Sequence, residues 1–161
     1  MRRRDILQLG SVAAVGTLLP LSIAATRAIA LVHDARYAPA RMLAAGSGTT
    51  AFALPADPVA LWRRDLASAP RIAGLTTYAD MLIIADLARA GERRLTMTIA
   101  HHLHDTGARH VAHQGPIATR PLAAAGMRWP IALRTLLGGP PGGDAIERDD
   151  RRGTLWSWTI D

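Results

Sequence analysis

The stretch 71-RIAGLTTYADMLIIADLARAGERRLTMTIAHH-102 decides the fold. Its first five residues form a short apolar run, and the run predicts a strand over 71–75. Thr76 or Thr77 then supplies a hydroxyl to cap a helix, and Asp80 suits the first turn, where unpaired backbone N–H groups favour negative charge. Met81, Leu82, Ile84, Ala85 and Leu87 recur at helical spacing and predict a broad apolar face, closed by Ala90-Gly91. From Arg94 the period changes to two. Leu95, Met97 and Ile99 alternate with Thr96 and Thr98, which predicts a strand over 94–102. Strand, helix and strand with short links make a crossover unit, and such units favour parallel strands.

The same alternation extends upstream. "LVHDA" (31–35) predicts a first strand, and "RYAPARMLAAG" (36–46) a helix with Ala38, Met42 and Ala45 inward and Gly46 at its end. "SGTTAFALP" (47–55) predicts a second strand. "ADPVALWRRDLAS" (56–68) predicts a helix with Asp57 as cap and Pro58 in the first turn, where a missing N–H costs nothing. Downstream the signal weakens. Residues 107–130 are turn-rich, "IALRTLL" (131–137) suits a short last helix, and 138–153 is a polar Gly/Pro-rich loop. "TLWSWTID" (154–161) has strand periodicity, with Leu155, Ser157 and Thr159 on one face and Trp156, Trp158 and Ile160 on the other. It is expected at a sheet edge, antiparallel through a hairpin. The expected fold is α/β, a small three-layer sandwich. Its sheet is mainly parallel with four or five strands, in the order βαβαβαβ followed by the C-terminal strand. Residues 31–161 form one domain on this reading. The "GLTT" turn at 74–77 bears a loose likeness to a strand-to-helix turn in one lobe of uroporphyrinogen-III synthase. That enzyme needs two lobes, so the likeness implies an α/β lobe and not the activity.

Composition excludes several chemistries. Among 161 residues there is no cysteine, which removes disulfides, thiolate metal sites, iron–sulfur ligation and covalent haem attachment. There is no lysine either, so no Walker P-loop is possible, and no Gly-x-Gly-x-x-Gly follows a strand. The net charge of +6 is carried entirely by arginine. Arg2, Arg3, Arg4, Arg27 and Asp5 fall in the first thirty residues, which leaves 15 arginines against 12 acids beyond them. Those arginines are scattered in short pairs rather than gathered in a stripe, so nucleic-acid binding is not expected.

The first thirty residues have three parts: a charged start (Met1–Asp5), a mild apolar run from Ile6 to Ala25 broken by Pro20, and Ala28-Ile29-Ala30, a small-x-small cleavage pattern. "RRRDILQ" (2–8) resembles the twin-arginine export motif, with Arg3 and Arg4 as the pair, Ile6-Leu7 as the apolar pair and Arg2 where Ser or Thr is usual. The resemblance implies that residues 1–30 are a cleavable signal engaging the twin-arginine export machinery, and that the protein reaches the periplasm already folded. No stable membrane span is expected after cleavage; the alternative is an uncleaved segment anchoring the chain in the inner membrane. Passengers of this route often carry a preloaded cofactor or travel with a redox enzyme. Here no cofactor is named by the residues, and His, Asp, Glu or apolar packing would have to hold one.

Candidate chemistry sits at predicted strand ends, where open α/β sheets bind ligands. Asp34 and Arg36, with Thr76 and Thr77, would form an anionic-ligand pocket, a guanidinium beside helix-start hydroxyls. Asp34 and Arg36 equally suit a structural ion pair, and Thr77 a helix cap. Five of six histidines fall in 101-HHLHDTGARHVAH-113. His102 and His104 would share a strand face and are the candidate metal ligands, with Asp105 as an oxygen donor. Ser47, Ser68 and Ser157 lie in no nucleophile-elbow context. The reading that follows is an exported periplasmic accessory or binding protein, a non-catalytic partner of a redox enzyme. The alternative is an α/β enzyme or metal-binding protein using the strand-end cluster.

Overall fold

A computed structural model describes residues 29–54, 57–116, 118–141, 146–148 and 151–161. The expected export segment lies outside them, apart from Ile29 and Ala30. The elements are β1 (Ile29–Asp34), α1 (Ala38–Ala44), β2 (Thr50–Leu54), α2 (Pro58–Leu61, running on as a π-helical turn Trp62–Leu66), β3 (Arg71–Thr76), α3 (Tyr78–Ala90), β4 (Leu95–His104), β5 (Gly107–Gln114), α4 (Arg120–Ala124, then a 3-10 turn Gly126–Arg128), α5 (Trp129–Leu136) and β6 (Gly153–Ile160).

The predicted alternation of strands and helices is present through β4. The caps are where side-chain chemistry puts them. The Thr77 hydroxyl accepts from the Asp80 N–H at 3.3 Å and donates to its carboxylate at 2.7 Å, and the Asp57 carboxylate accepts from the Val59 N–H at 2.9 Å. On α3 the inward stripe is Met81, Ile84 and Ala88, whereas Leu82, expected inside, is 46% exposed. β1 starts two residues earlier than its apolar run suggested: Ile29 pairs with Arg71, Ala30 with Ile72 and Thr50, and both are buried.

The sheet has six strands in the order β2-β1-β3-β6-β4-β5. β1 is parallel to β2 and β3, but β6 is antiparallel to β3 and β4, and β5 is antiparallel to β4. The fold is therefore α/β with a mixed sheet, not the mainly parallel one expected. Two departures account for this. β6 does not lie at an edge but enters between β3 and β4, with Leu155, Ser157, Trp158 and Ile160 all fully buried. A strand buried on both faces needs apolar or satisfied residues at every position, and "LWSWTI" meets that demand. The second departure is β5. The turn-rich reading of 107–114 gives way to a strand, because Asp105-Thr106 turns the chain and Gly107, at φ 143°, starts the return.

Helices cover both faces, which gives the three layers expected. α1, α4 and α5 pack on one face around Leu31, Leu43, Leu75, Ile99, Trp129 and Leu155. α2 and α3 pack on the other around Val32, Leu61, Leu66, Ile72, Ile84 and Trp158. The β1-to-β2 connection thus runs over one face and the β2-to-β3 connection over the other. The winding reverses between β1 and β3, and the carboxyl ends of these two strands flank the switch point.

Candidate functional site

The switch point gathers the four residues expected to bind an anion. Asp34 ends β1 with no solvent exposure, and its carboxylate accepts from Arg36 three times: from the backbone N–H at 3.0 Å, from Nε at 2.9 Å and from Nη2 at 2.7 Å. These hydrogen bonds and the carboxylate's charge hold the Arg36 guanidinium above its ordinary value. Asp80, at the first turn of α3, stands 4.0 Å from the same Nη2 and also holds the Thr77 hydroxyl. Thr76 donates to the Thr77 carbonyl and accepts from the Trp158 indole N–H, each at 3.0 Å. The residues meet as predicted, but their polar groups are spent on one another. Two carboxylates face one guanidinium, so the local charge is negative and an incoming anion gains little.

β4 runs parallel to β3, so its carboxyl end reaches the same rim. β6 intervenes, which sets His102 and His104 about 10 Å from β3 and about 14 Å from β1. His102 and His104 share a face, as strand alternation requires, but each has its own hydroxyl partner. His102 Nδ1 lies 2.9 Å from Thr154 Oγ1, and His104 Nδ1 lies 3.2 Å from Thr106 Oγ1. Asp105, the expected oxygen donor, pairs instead with Arg152 at 3.3 Å. Among the described residues no three His, Asp or Glu side chains are grouped to hold a metal ion.

The opposite face of the hairpin holds an arrangement the sequence did not reveal. His101 pairs with His110 across β4 and β5, and their Nδ1 atoms lie 2.7 Å apart. His101 Nε2 lies 2.7 Å from Ser157 Oγ on β6, and Trp129 stacks on the His101 ring at 4.3 Å between centroids. Burial pushes the His101 ring well below its ordinary value and His110 down to about 4, with neighbouring histidines adding to both shifts. Both rings are neutral at pH 7. A serine, a histidine and a second histidine in series form a proton relay in principle. Ser157 is, however, fully buried on a central strand and His101 has no exposure, so no substrate reaches the hydroxyl. The chain of bonds instead ties β5, β4 and β6 together.

The ring contacts of Trp156, which lies on the β6 face expected for it, and the burial of Arg134 go beyond what periodicity gives. On the α3 side of the sheet, Trp156 lies between Tyr78, at 4.9 Å, and His113, at 4.8 Å between ring centroids. On the α5 side, Arg134 is buried, although a lone arginine in "IALRTLL" suggests a solvent position. No family model matches the chain, and no curated protein and no solved structure matches it.

Proposed function

We propose that the chain is an exported, non-catalytic accessory or binding protein of the periplasm that docks a folded partner, a redox enzyme being the class its twin-arginine-like start favours. The observation that carries this reading is the aromatic surface around Trp156. The α2–α3 core draws on β1, β2, β3 and β6 and, among the described residues, takes only Leu95 from β4 and nothing from β5. That leaves Trp156 half-buried between Tyr78, 50% exposed, and the exposed His113, with Leu82 one turn further along α3. Tryptophan and tyrosine in a partly desolvated patch are the side chains that anchor interfaces. The self-satisfied switch point favours a binding role over catalysis.

The test compares the native protein with a Tyr78→Ser, His113→Ser double variant, both isolated from the periplasm. A partner of defined stoichiometry that accompanies the native chain and is lost with the variant, at unchanged circular dichroism, supports the reading. A lone monomer, or a partner held equally by both, overturns it. The compartment is tested separately. Changing Arg3 and Arg4 to lysine should hold the chain in the cytoplasm, and undiminished secretion would remove that part of the proposal.

A further inference from the structure

We propose that the free edge of β5 takes an added strand, an extended acidic segment of the partner protein. This inference rests on the docking role proposed above and names the partner's chemistry and its mode of attachment. β5 is the last strand of the sheet and is paired on one side, by β4. Among the described residues its backbone bonds to no other element. The register runs unbroken from Gly107 to Ala112, opposite His104 to Ile99. Along this run N–H and C=O groups point outward at alternate positions. Such an edge is a template for another strand unless proline or a covering segment blocks it. β5 holds no proline. The α4 side chains reach only the face that carries Ala108. An added strand gains affinity from main-chain hydrogen bonds and specificity from the side chains beside them.

The exposed face selects which strand adds. His101 stacks on Trp129 and so lies on the α5 side. Alternation puts His102 and its cross-strand partner Arg109 on the other side, with Ala100 and Val111 beside them. Trp156 pairs with Ala100 across β4 and β6, and the His113 ring meets the indole at 4.8 Å. The α3-side core stops short of β5. Arg109, Val111 and His113 therefore carry the aromatic surface outward to the free edge.

β4, β5 and β6 hold no acidic residue along their whole length. Asp105, in the turn between β4 and β5, is held by Arg152, and Asp80 by Thr77 and Arg36. The Arg109 side chain is exposed and has no partner among the described residues. A carboxylate on an added strand meets this guanidinium with two parallel hydrogen bonds. A second copy of the chain fits badly. Two β5 edges would bring arginine and imidazoles together with no acid to meet them, and like charges across a strand pair destabilise it. The other sheet edge, 50-TAFAL-54, has no charge with which to choose a partner. A nucleic-acid strand needs a row of cations for its phosphates, and this face offers a single guanidinium.

The probe is the capped peptide Thr-Asp-Thr-Val-Thr-Asp-Thr, which as a strand sets Asp, Val and Asp on one face. Its counterpart has lysine in place of both aspartates. Each is titrated into the isotopically labelled full chain at low salt and followed by amide NMR shifts. The aspartate peptide should give saturable shifts confined to β5 and its neighbours, weakened by added salt. The lysine peptide should give none. Arg109→Glu, a change at an exposed position, should weaken the aspartate peptide about fivefold and admit the lysine peptide. Arg109→Gln should fall between the two, and it decides the matter if Arg109→Glu does not fold. Several results would each overturn the proposal: no saturable shift, equal binding of both peptides, unchanged affinity in the Arg109 variants, or shifts away from β5. Tighter binding of a short oligothymidylate, or a concentration-dependent dimer joined through β5, would overturn it equally. The docking role fails separately. A native partner lost with Tyr78→Ser, His113→Ser but held at full strength by Arg109→Glu sinks the strand addition and leaves the docking role standing. A chain that carries no partner yet binds the aspartate peptide overturns the docking role and not the chemistry of the edge.

Discussion

The indole of Trp158 occupies the space that any side chain at Gly74 would need. The two residues face each other across β6 and β3, and a Cβ on Gly74 would stand 2.2 Å from Cζ2 of the ring. The indole N–H donates to Thr76 Oγ1, beside the switch point. The last strand is thus locked to the third by a ring lying where a side chain is missing. Gly74→Ala should destabilise the protein by about 3 kcal/mol, through overpacking and displacement of that hydrogen bond. Urea unfolding measures it. A loss below about 0.5 kcal/mol, the range of ordinary surface changes, would contradict the packing described.

The Gly74–Trp158 contact also shows where sequence reading stops. Local signals were strong enough to locate β1 to β4, the Thr77 and Asp57 caps and the two faces of β6, because period and capping chemistry act within a few residues. They also brought Asp34, Arg36, Thr76 and Thr77 to one place, since the crossovers put these residues at adjacent strand ends. The position of β6 depends on which strands have an unpaired edge, and that is settled by contacts some eighty residues apart. β5 was hidden because its exposed side carries His and Arg, which dilute the apolar alternation. Reading Asp105-Thr106-Gly107 as a hairpin turn would have placed His101 opposite His110. Arg134 gave no local sign, for its burial comes from the loop after α1, whose Ala45 carbonyl it holds.

The Asp34–Arg36 pair is asymmetric, and the asymmetry predicts unequal mutants. Asp34 is fully buried while Arg36 is 45% exposed. Arg36→Ala leaves a buried carboxylate with little beyond a backbone N–H, whereas Asp34→Asn leaves a cation that water can reach. Breaking a buried pair costs about 3–5 kcal/mol when a charge is stranded. Partial exposure of Arg36 reduces this, so Arg36→Ala should cost about 2 kcal/mol and Asp34→Asn about 1 kcal/mol. Equilibrium unfolding of both variants checks the order. A larger loss for Asp34→Asn would mean that the carboxylate is not desolvated in the way described.

Acid should loosen the β4–β5 hairpin. Burial lowers His110 from 6.5 to about 4 and His101 further below its ordinary value. His104 and His102 press in the same direction. The unfolded chain therefore takes up protons below pH 6.5 that the folded chain refuses. Stability is complete above that pH, falls as the pH drops towards 4, and continues to fall below it on account of His101. With the His110 ring partly exposed, its share is on the order of 1 kcal/mol. Urea midpoints at pH 7, 5.5 and 4.5 should decline in that order, and His110→Asn should flatten the decline. A midpoint constant across this range would show that the rings are not held neutral by the fold.

The start of β1 constrains where an export signal is removed. Scission after Ala30, the position suggested by Ala28-Ile29-Ala30, would leave Leu31 as the first residue. It would take away Ile29 and Ala30, 8% and 7% exposed, and with them the pairings to Arg71, Ile72 and Thr50. Fully burying an isoleucine side chain such as that of Ile29 is worth about 1.5–3 kcal/mol, a large part of the stability of a small domain. A protein exported after folding presents its cleavage site from outside the folded body, and a site inside a paired strand is not accessible to a peptidase. The expected mature chain therefore begins at Ile29 or upstream of it. Intact-mass measurement and N-terminal sequencing of secreted protein decide the point. A mature protein starting at Leu31, with stability equal to a chain starting at Ile29, would show that the first two residues of β1 are dispensable.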